Sequence, residues 1–259
     1  MLFGLLPSRP LLDEPSITWL FDTYGWALRH FDATIFRDHT VLVEPSDRFF
    51  PGRVDSVEGM AQLICDRVKG YAAIGHWPTR LFDARQCQID TPRLLLEGPI
   101  RQVSAGESDA AVEEAERLPI PYDPLLVNNP EGMIASFAHT FAHYLSTLAS
   151  APPPGGEESW SQVTEVVATF LGFGLPMANS AFNVRIPRCG ACAPQPVDRQ
   201  SFLSQYDTTY ALAIFCTLKA IPNNRVLPLL KGSLRSFYKK AVKDVARREQ
   251  QIAQLRQLM

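Results

Sequence analysis

The sequence predicts an α+β protein, and three observations predict it. Two helix-length amphipathic stretches flank a proline-glycine turn between Asn129 and Phe182. Short β-branched and proline-bounded runs lie between residues 36 and 127, where a small sheet is expected. From about residue 200 onward the apolar residues fall at helical spacing, which makes the C-terminal region helical. With 259 residues, 46% hydrophobic and 20% charged, the chain has enough apolar mass to bury a real core.

Taken in order, residues 1–35 are expected to open with an extended, proline-punctuated arm, after which Asp13 or Ser16 offers a helix cap. Ile17, Leu20, Phe21, Tyr24 and Leu28 then mark one helix face. TVLVEP, from Thr40 to Pro45, reads as a short strand ended by proline. Met60, Leu63, Ile64 and Val68 predict a helix between Ser56 and Ala73, closed by His76-Trp77-Pro78. TRLFDARQCQI and PRLLLEGPIRQV are strand-like, GESDAAVEEAER is an acidic surface segment, and PIPYDP is extended by composition. Trp26, Trp77 and Trp160 are expected in the core.

Asn129, Pro130 and Glu131 supply a cap, a first-turn proline and an acidic residue at the positive end of a helix dipole. Ile134, Phe137, Ala138, Phe141, Leu145 and Leu148 give that helix its apolar stripe. At 100° per residue the opposite face carries Gly132, Ser136, His139, His143, Ser146 and Ser150. APPPGG ends the helix. The next helix buries Trp160, Val163, Val166, Val167, Phe170 and Leu171, and presents Glu165 among Ser161, Ala168 and Gly172. Gly172, Gly174 and Pro176 predict close packing or a kink. Last, Leu230, Leu234, Phe237, Ala241, Val245 and Ile252 line one side of the C-terminal segment; Lys239, Lys240, Lys243, Arg247 and Arg248 line the other. The chain divides into a core over residues 1–185 and a helical extension over 186–259 packed on the same domain.

Two histidines one helical turn apart can chelate one zinc ion through their ring nitrogens. Glu165, on the opposing helix, is the candidate third ligand, which would leave the fourth position open for water. His30, His39 and His76 have no helical partner at that spacing. The other reading of the same residues is a hydrogen-bonded or solvated polar face. Cys189 and Cys192 form a CxxC pair that could be half a zinc site, a redox dithiol or an incidental loop pair. The basic C-terminal face could meet an anionic surface or simply be solvated.

The quoted HTFAHYL, TEVVATFLGFG and ANSAF segments are similar to a bacterial family of zincin-type metallopeptidase-like proteins, largely uncharacterised. FPGRVDSVEGMA, HWPTRL, YALAIF and LKGSLRSFYKKAVK extend the resemblance over most of the chain. It implies a zincin-like scaffold with His139, His143 and Glu165 at the ligand positions, Glu165 replacing the family's aspartate. It also exposes a departure. Thr140 stands where the family's HExxH motif has its glutamate, the base that takes a proton from zinc-bound water. Loss of such a base costs about 10²–10⁴ in rate. The resemblance therefore implies a pseudoenzyme that binds zinc and acts by recognising a protein or peptide. An active zinc hydrolase with another base and a metal-free partner-binding protein are the alternatives.

A net charge of −2 gives no sign of nucleic-acid binding. No apolar run nears the roughly 20 residues of a membrane span, and the N-terminal stretch lacks the basic start and cleavage site of a signal peptide. Five cysteines, with Cys65 and Cys216 in apolar surroundings, suggest reduced thiols and a cytoplasmic protein.

Overall fold

The computed structural model describes residues 11–85, 98–103, 117–181 and 201–259. The acidic segment, Cys87, the first half of PRLLLEGPIRQV and the Cys189–Cys192 pair lie outside these residues. The described chain is mostly helical, with one small two-stranded parallel sheet.

Asp13 caps α1 (Glu14–His30), accepting the Ser16 amide at 2.9 Å, and the expected apolar face turns inward. A short helix, α2 (Ala33–Asp38), follows at once. The hydrophobic pattern does not announce it. Asp32, at φ 59°, redirects the chain there and accepts the Ile35 amide at 3.0 Å.

TVLVEP makes no ladder. Leu42 and Val43 are buried, but the Val43 amide donates to the Gly172 carbonyl at 2.9 Å, on a distorted helix rather than a neighbouring strand. A β-branched run signals burial of extended chain as readily as it signals pairing.

Helix α3 (Val57–Tyr71) is capped by Ser56, and it buries Ile64 and Val68 as expected. Strand β1 (Thr79–Asp83) then runs parallel to β2 (Leu118–Tyr122), with Thr79 opposite Leu118 and Asp83 opposite Tyr122. The Leu118 amide donates to Pro78 on the β1 side. Pro119 and Pro121 therefore fall where the amides point away from β1. A proline has no donor for a further strand there, so the sheet cannot grow on that edge.

Arg101 ties the ends of α1 and α3 together. Its guanidinium is 2% exposed and donates to the carbonyls of Phe31 (2.8 Å) and Ala72 (3.0 Å), just past the two helices. Burial pushes its pKa down to about 10.

Helix α4 (Pro130–Thr147) begins at the expected Asn129 cap, and α5 (Trp160–Ala168) returns against it. Two indoles hold the turn between them: Trp19 donates to the Pro154 carbonyl (2.9 Å) and Trp26 to that of Ala151 (3.0 Å). After α5 the helix widens into a π-type turn over Thr169–Phe173 before α6 (Gly174–Ser180). Gly172 is the cause of the expected kink. Its φ is 102°, and a Cβ built there would lie 2.1 Å from the Val41 carbonyl oxygen. Only glycine meets both conditions.

Helix α7 (Gln205–Leu218) starts at a reciprocal Ser204–Asp207 cap and is buried on nearly every side. After the single turn of α8 (Asn223–Val226), α9 (Gly232–Arg247) packs on α7 through Leu234, Tyr238, Ala241 and Val245. Tyr238 takes the fully buried position, while the expected Phe237 is half-buried against Tyr206. The C-terminal segment breaks at Arg248 before α10 (Glu249–Gln257). Arg248 is a tether and not part of a free basic face: it donates to Asp244 (2.9 Å) and to Glu14 of α1 (2.8 Å).

One hydrophobic cluster runs from α1 to α10 and includes Trp26 and Trp77. Cys65 and Cys216 are buried free thiols, each pushed up to about 12 by burial. Among the described residues no helix is long and apolar enough to cross a membrane.

Candidate functional site

On α4, His139 is half-buried and its ring stacks on that of Phe202, with centroids 6.1 Å apart and planes 14° from parallel. His143, one turn later, is exposed and meets the Tyr144 ring edge-on at 6.0 Å. Tyr144 is itself fixed, since its hydroxyl donates to the Pro119 carbonyl at 3.0 Å and so anchors α4 to β2. The mass of protein around the His143 ring pushes its pKa below the ordinary value, although the side chain remains exposed. That favours the neutral imidazole a metal needs.

Thr140 lies between the two histidines, and its hydroxyl donates to the Ser136 carbonyl at 3.1 Å within the same helix. It is engaged with backbone and has no proton-accepting group of useful basicity.

Glu165 departs most from expectation. The helical wheel gives α5 a polar face of small residues around it, but Thr164, Glu165, Ala168 and Gly172 are all buried, and Glu165 is 0% exposed. The cover comes from residues 201–203, just before α7. The Phe202 amide donates to Glu165 Oε1 at 3.1 Å and the Leu203 amide to Oε2 at 2.9 Å. The Ser201 hydroxyl lies 2.9 Å from Oε2. A buried carboxylate needs such donors, and here they pin the start of α7 onto α5.

The faces expected to be polar are therefore largely covered by the rest of the chain. Gly132 and Ser146 on α4 are buried too. Phe202 touches both halves of the expected site, its amide on Glu165 and its ring on His139. Among the described residues no group of three or more His, Cys, Asp or Glu is placed to hold a metal ion. The Glu165 carboxylate already accepts the Phe202 and Leu203 amides and lies beside the Ser201 hydroxyl, while the two candidate nitrogens stand one turn apart on α4. Periodicity pointed to His139, His143 and Glu165. It carried no signal for Ser201 and Phe202, which lie 36 and 37 residues beyond Glu165 in the chain.

No protein-family model, curated protein or solved structure matches the chain.

Proposed function

We propose that this chain is a metallopeptidase-like protein with a degenerate site, which recognises a protein or peptide without hydrolysing it. The observation that carries the reading is Thr140. The position between the two histidines, where a hydrolase of this kind keeps its base, holds a hydroxyl bonded to its own helix. A threonine there cannot shuttle the proton that peptide cleavage requires. The zincin-like scaffold is supported by the resemblance over the HTFAHYL, TEVVATFLGFG and ANSAF segments and by the packing of α4 on α5.

Zinc belongs to this reading as a ligand of the His139–His143 pair. Bound zinc would supply Lewis-acid chemistry and a more acidic water. Glu165 would enter such a site with its carboxylate already oriented by the Phe202 and Leu203 amides, as ligating carboxylates commonly are. A metal-free version of the same recognition function, with the histidine face as protein surface, is the second form of this reading, since no group of three or more His, Cys, Asp or Glu is placed to hold a metal among the described residues.

Elemental analysis of freshly purified protein, together with a peptide-hydrolysis panel run with and without chelator, tests the reading. The expected result is no chelator-sensitive cleavage. Zinc near one equivalent that is lost in the His139→Ala/His143→Ala variant selects the metal-bound version, and absence of zinc affinity selects the metal-free one. Cleavage that disappears in His143→Ala overturns the proposal in favour of an active hydrolase.

A further inference from the structure

A cleft of about 510 Å³ opens between residues 45–57, the first half of α3 and the first turn of α4. That volume lies within the range of small-ligand and side-chain pockets. Its walls are largely apolar, formed by Phe50, Val54, Met60, Leu63, Val127 and Ile134. Val54 and Val57 on its rim are 40% and 41% exposed, so apolar surface is left uncovered there.

The wall is built rather than loose. Tyr71 donates to the Phe49 carbonyl at 2.7 Å. Gly52 turns at φ 115°, and its missing Cβ would lie 2.9 Å from Leu63 Cδ1. Ser56 then caps α3 through the Gly59 amide at 3.0 Å.

Charge decides what fits. Among the described residues that line the cleft, Asp47, Asp55 and Glu131 face one cation, Arg53. The N-termini of α3 and α4 both reach the cleft and would ordinarily favour an anion. Here Ser56 and Asn129 already cap them, and Glu58 and Glu131 fill their first turns. Glu131 is half-buried. Its Oε1 accepts the Asn179 amide at 2.6 Å, and Asn179 is held in turn by the Leu229 carbonyl and the Lys231 amide. Burial pushes the Glu131 pKa up, and Asn179 and Lys231 offset this only in part. A cation arriving at this carboxylate would supply the compensation it lacks.

We infer that this cleft binds a peptide segment carrying an apolar side chain beside a lysine or arginine, the apolar group against Met60, Leu63 and Ile134 and the cation at Glu131. The choice of a peptide rests on the recognition reading above; the site itself is separate from the histidines, since Glu131 lies about 12 Å along the helix axis from His139.

The full chain is titrated with fluorescein-labelled Ala-Leu-Lys-Leu-Ala-amide and with the same peptide carrying glutamate in place of lysine, followed by anisotropy. The lysine peptide is expected to bind at least tenfold more tightly, and Glu131→Gln to cost roughly tenfold in its affinity, as for a charge-assisted contact. Glutamine can still accept from Asn179, and unchanged circular dichroism confirms the variant's fold. Met60→Trp, which fills the cleft, is expected to abolish binding. Equal affinity for the two peptides, no binding of either, or indifference to Glu131→Gln overturns the assignment. Mass spectrometry of the recovered peptide separates the two proposals. A cleaved peptide defeats the non-hydrolytic reading and leaves the cleft standing; an intact but unbound peptide does the reverse.

Discussion

Glu131 and Glu165 stand on the two helices of one hairpin, and both lose contact with water, but to different ends. Glu165 is wholly buried and meets two backbone amides and a hydroxyl from residues 201–203. Glu131 is half-buried at the edge of a cleft, and one amide, from Asn179, reaches it. The first carboxylate has been converted into a fastener between α5 and α7. The second is left with acceptor capacity facing a cavity. Acidity on a helix face does not distinguish these roles; the number of donors that the rest of the chain brings does.

The difference predicts a graded set of outcomes. Glu165→Ala is the largest, because it leaves the Phe202 and Leu203 amides without their acceptor, although the Ser201 hydroxyl keeps the Leu203 carbonyl at 2.7 Å. A loss of about 4 kcal/mol in urea unfolding is expected. If Glu165 were instead an idle metal ligand, alanine there would cost little. Glu165→Gln keeps one accepting oxygen and turns a donor towards another donor, so about 2 kcal/mol is expected in the same assay.

His139→Ala removes the stack on Phe202 and should cost about 1 kcal/mol, whereas His143→Ala should stay within about 0.5 kcal/mol. Equal and larger losses for the two would point to a shared structural role on α4 that the geometry does not give them.

An effect on stability as small as that of His143→Ala is expected at Glu131→Gln, within about 0.5 kcal/mol of the parent at neutral pH. Its signature lies in pH dependence. A carboxyl whose folded pKa is raised binds its proton more tightly in the folded state, so its contribution to stability falls as pH rises from the unfolded value through the folded one. Glutamine removes that slope. A pH series of thermal unfolding in which parent and variant run parallel above pH 4 would show that Glu131 is not strained by its burial, and would weaken the contrast with Glu165.

Much of the helical framework is legible in the residues. Asn129 and Asp13 cap where their side chains dictate, and the α1, α3 and α4 stripes follow local periodicity. Gly172 marked the kink, because the need for glycine can be read from a cluster of helix breakers. The TVLVEP strand failed for a long-range reason: the Val43 amide bonds to the Gly172 carbonyl on a distorted helix, the Thr40 amide and the Glu44 carbonyl bond to neighbours in sequence, and pairing needs an adjacent strand that composition does not specify. The spacing of the histidines was equally local and correct, yet spacing says nothing of what covers Glu165.

By itself, then, the sequence determined the caps, the apolar stripes, the His139–His143 spacing and the threonine between them, since each depends on residues within about two turns of one another. Tertiary structure decided that Glu165 fastens α7, that Phe202 touches both halves of the expected site, and that Glu131 borders a cleft with Asp47 and Asp55. Those outcomes depend on which distant segment supplies the donors, and a helical wheel contains no information about a donor 36 residues away.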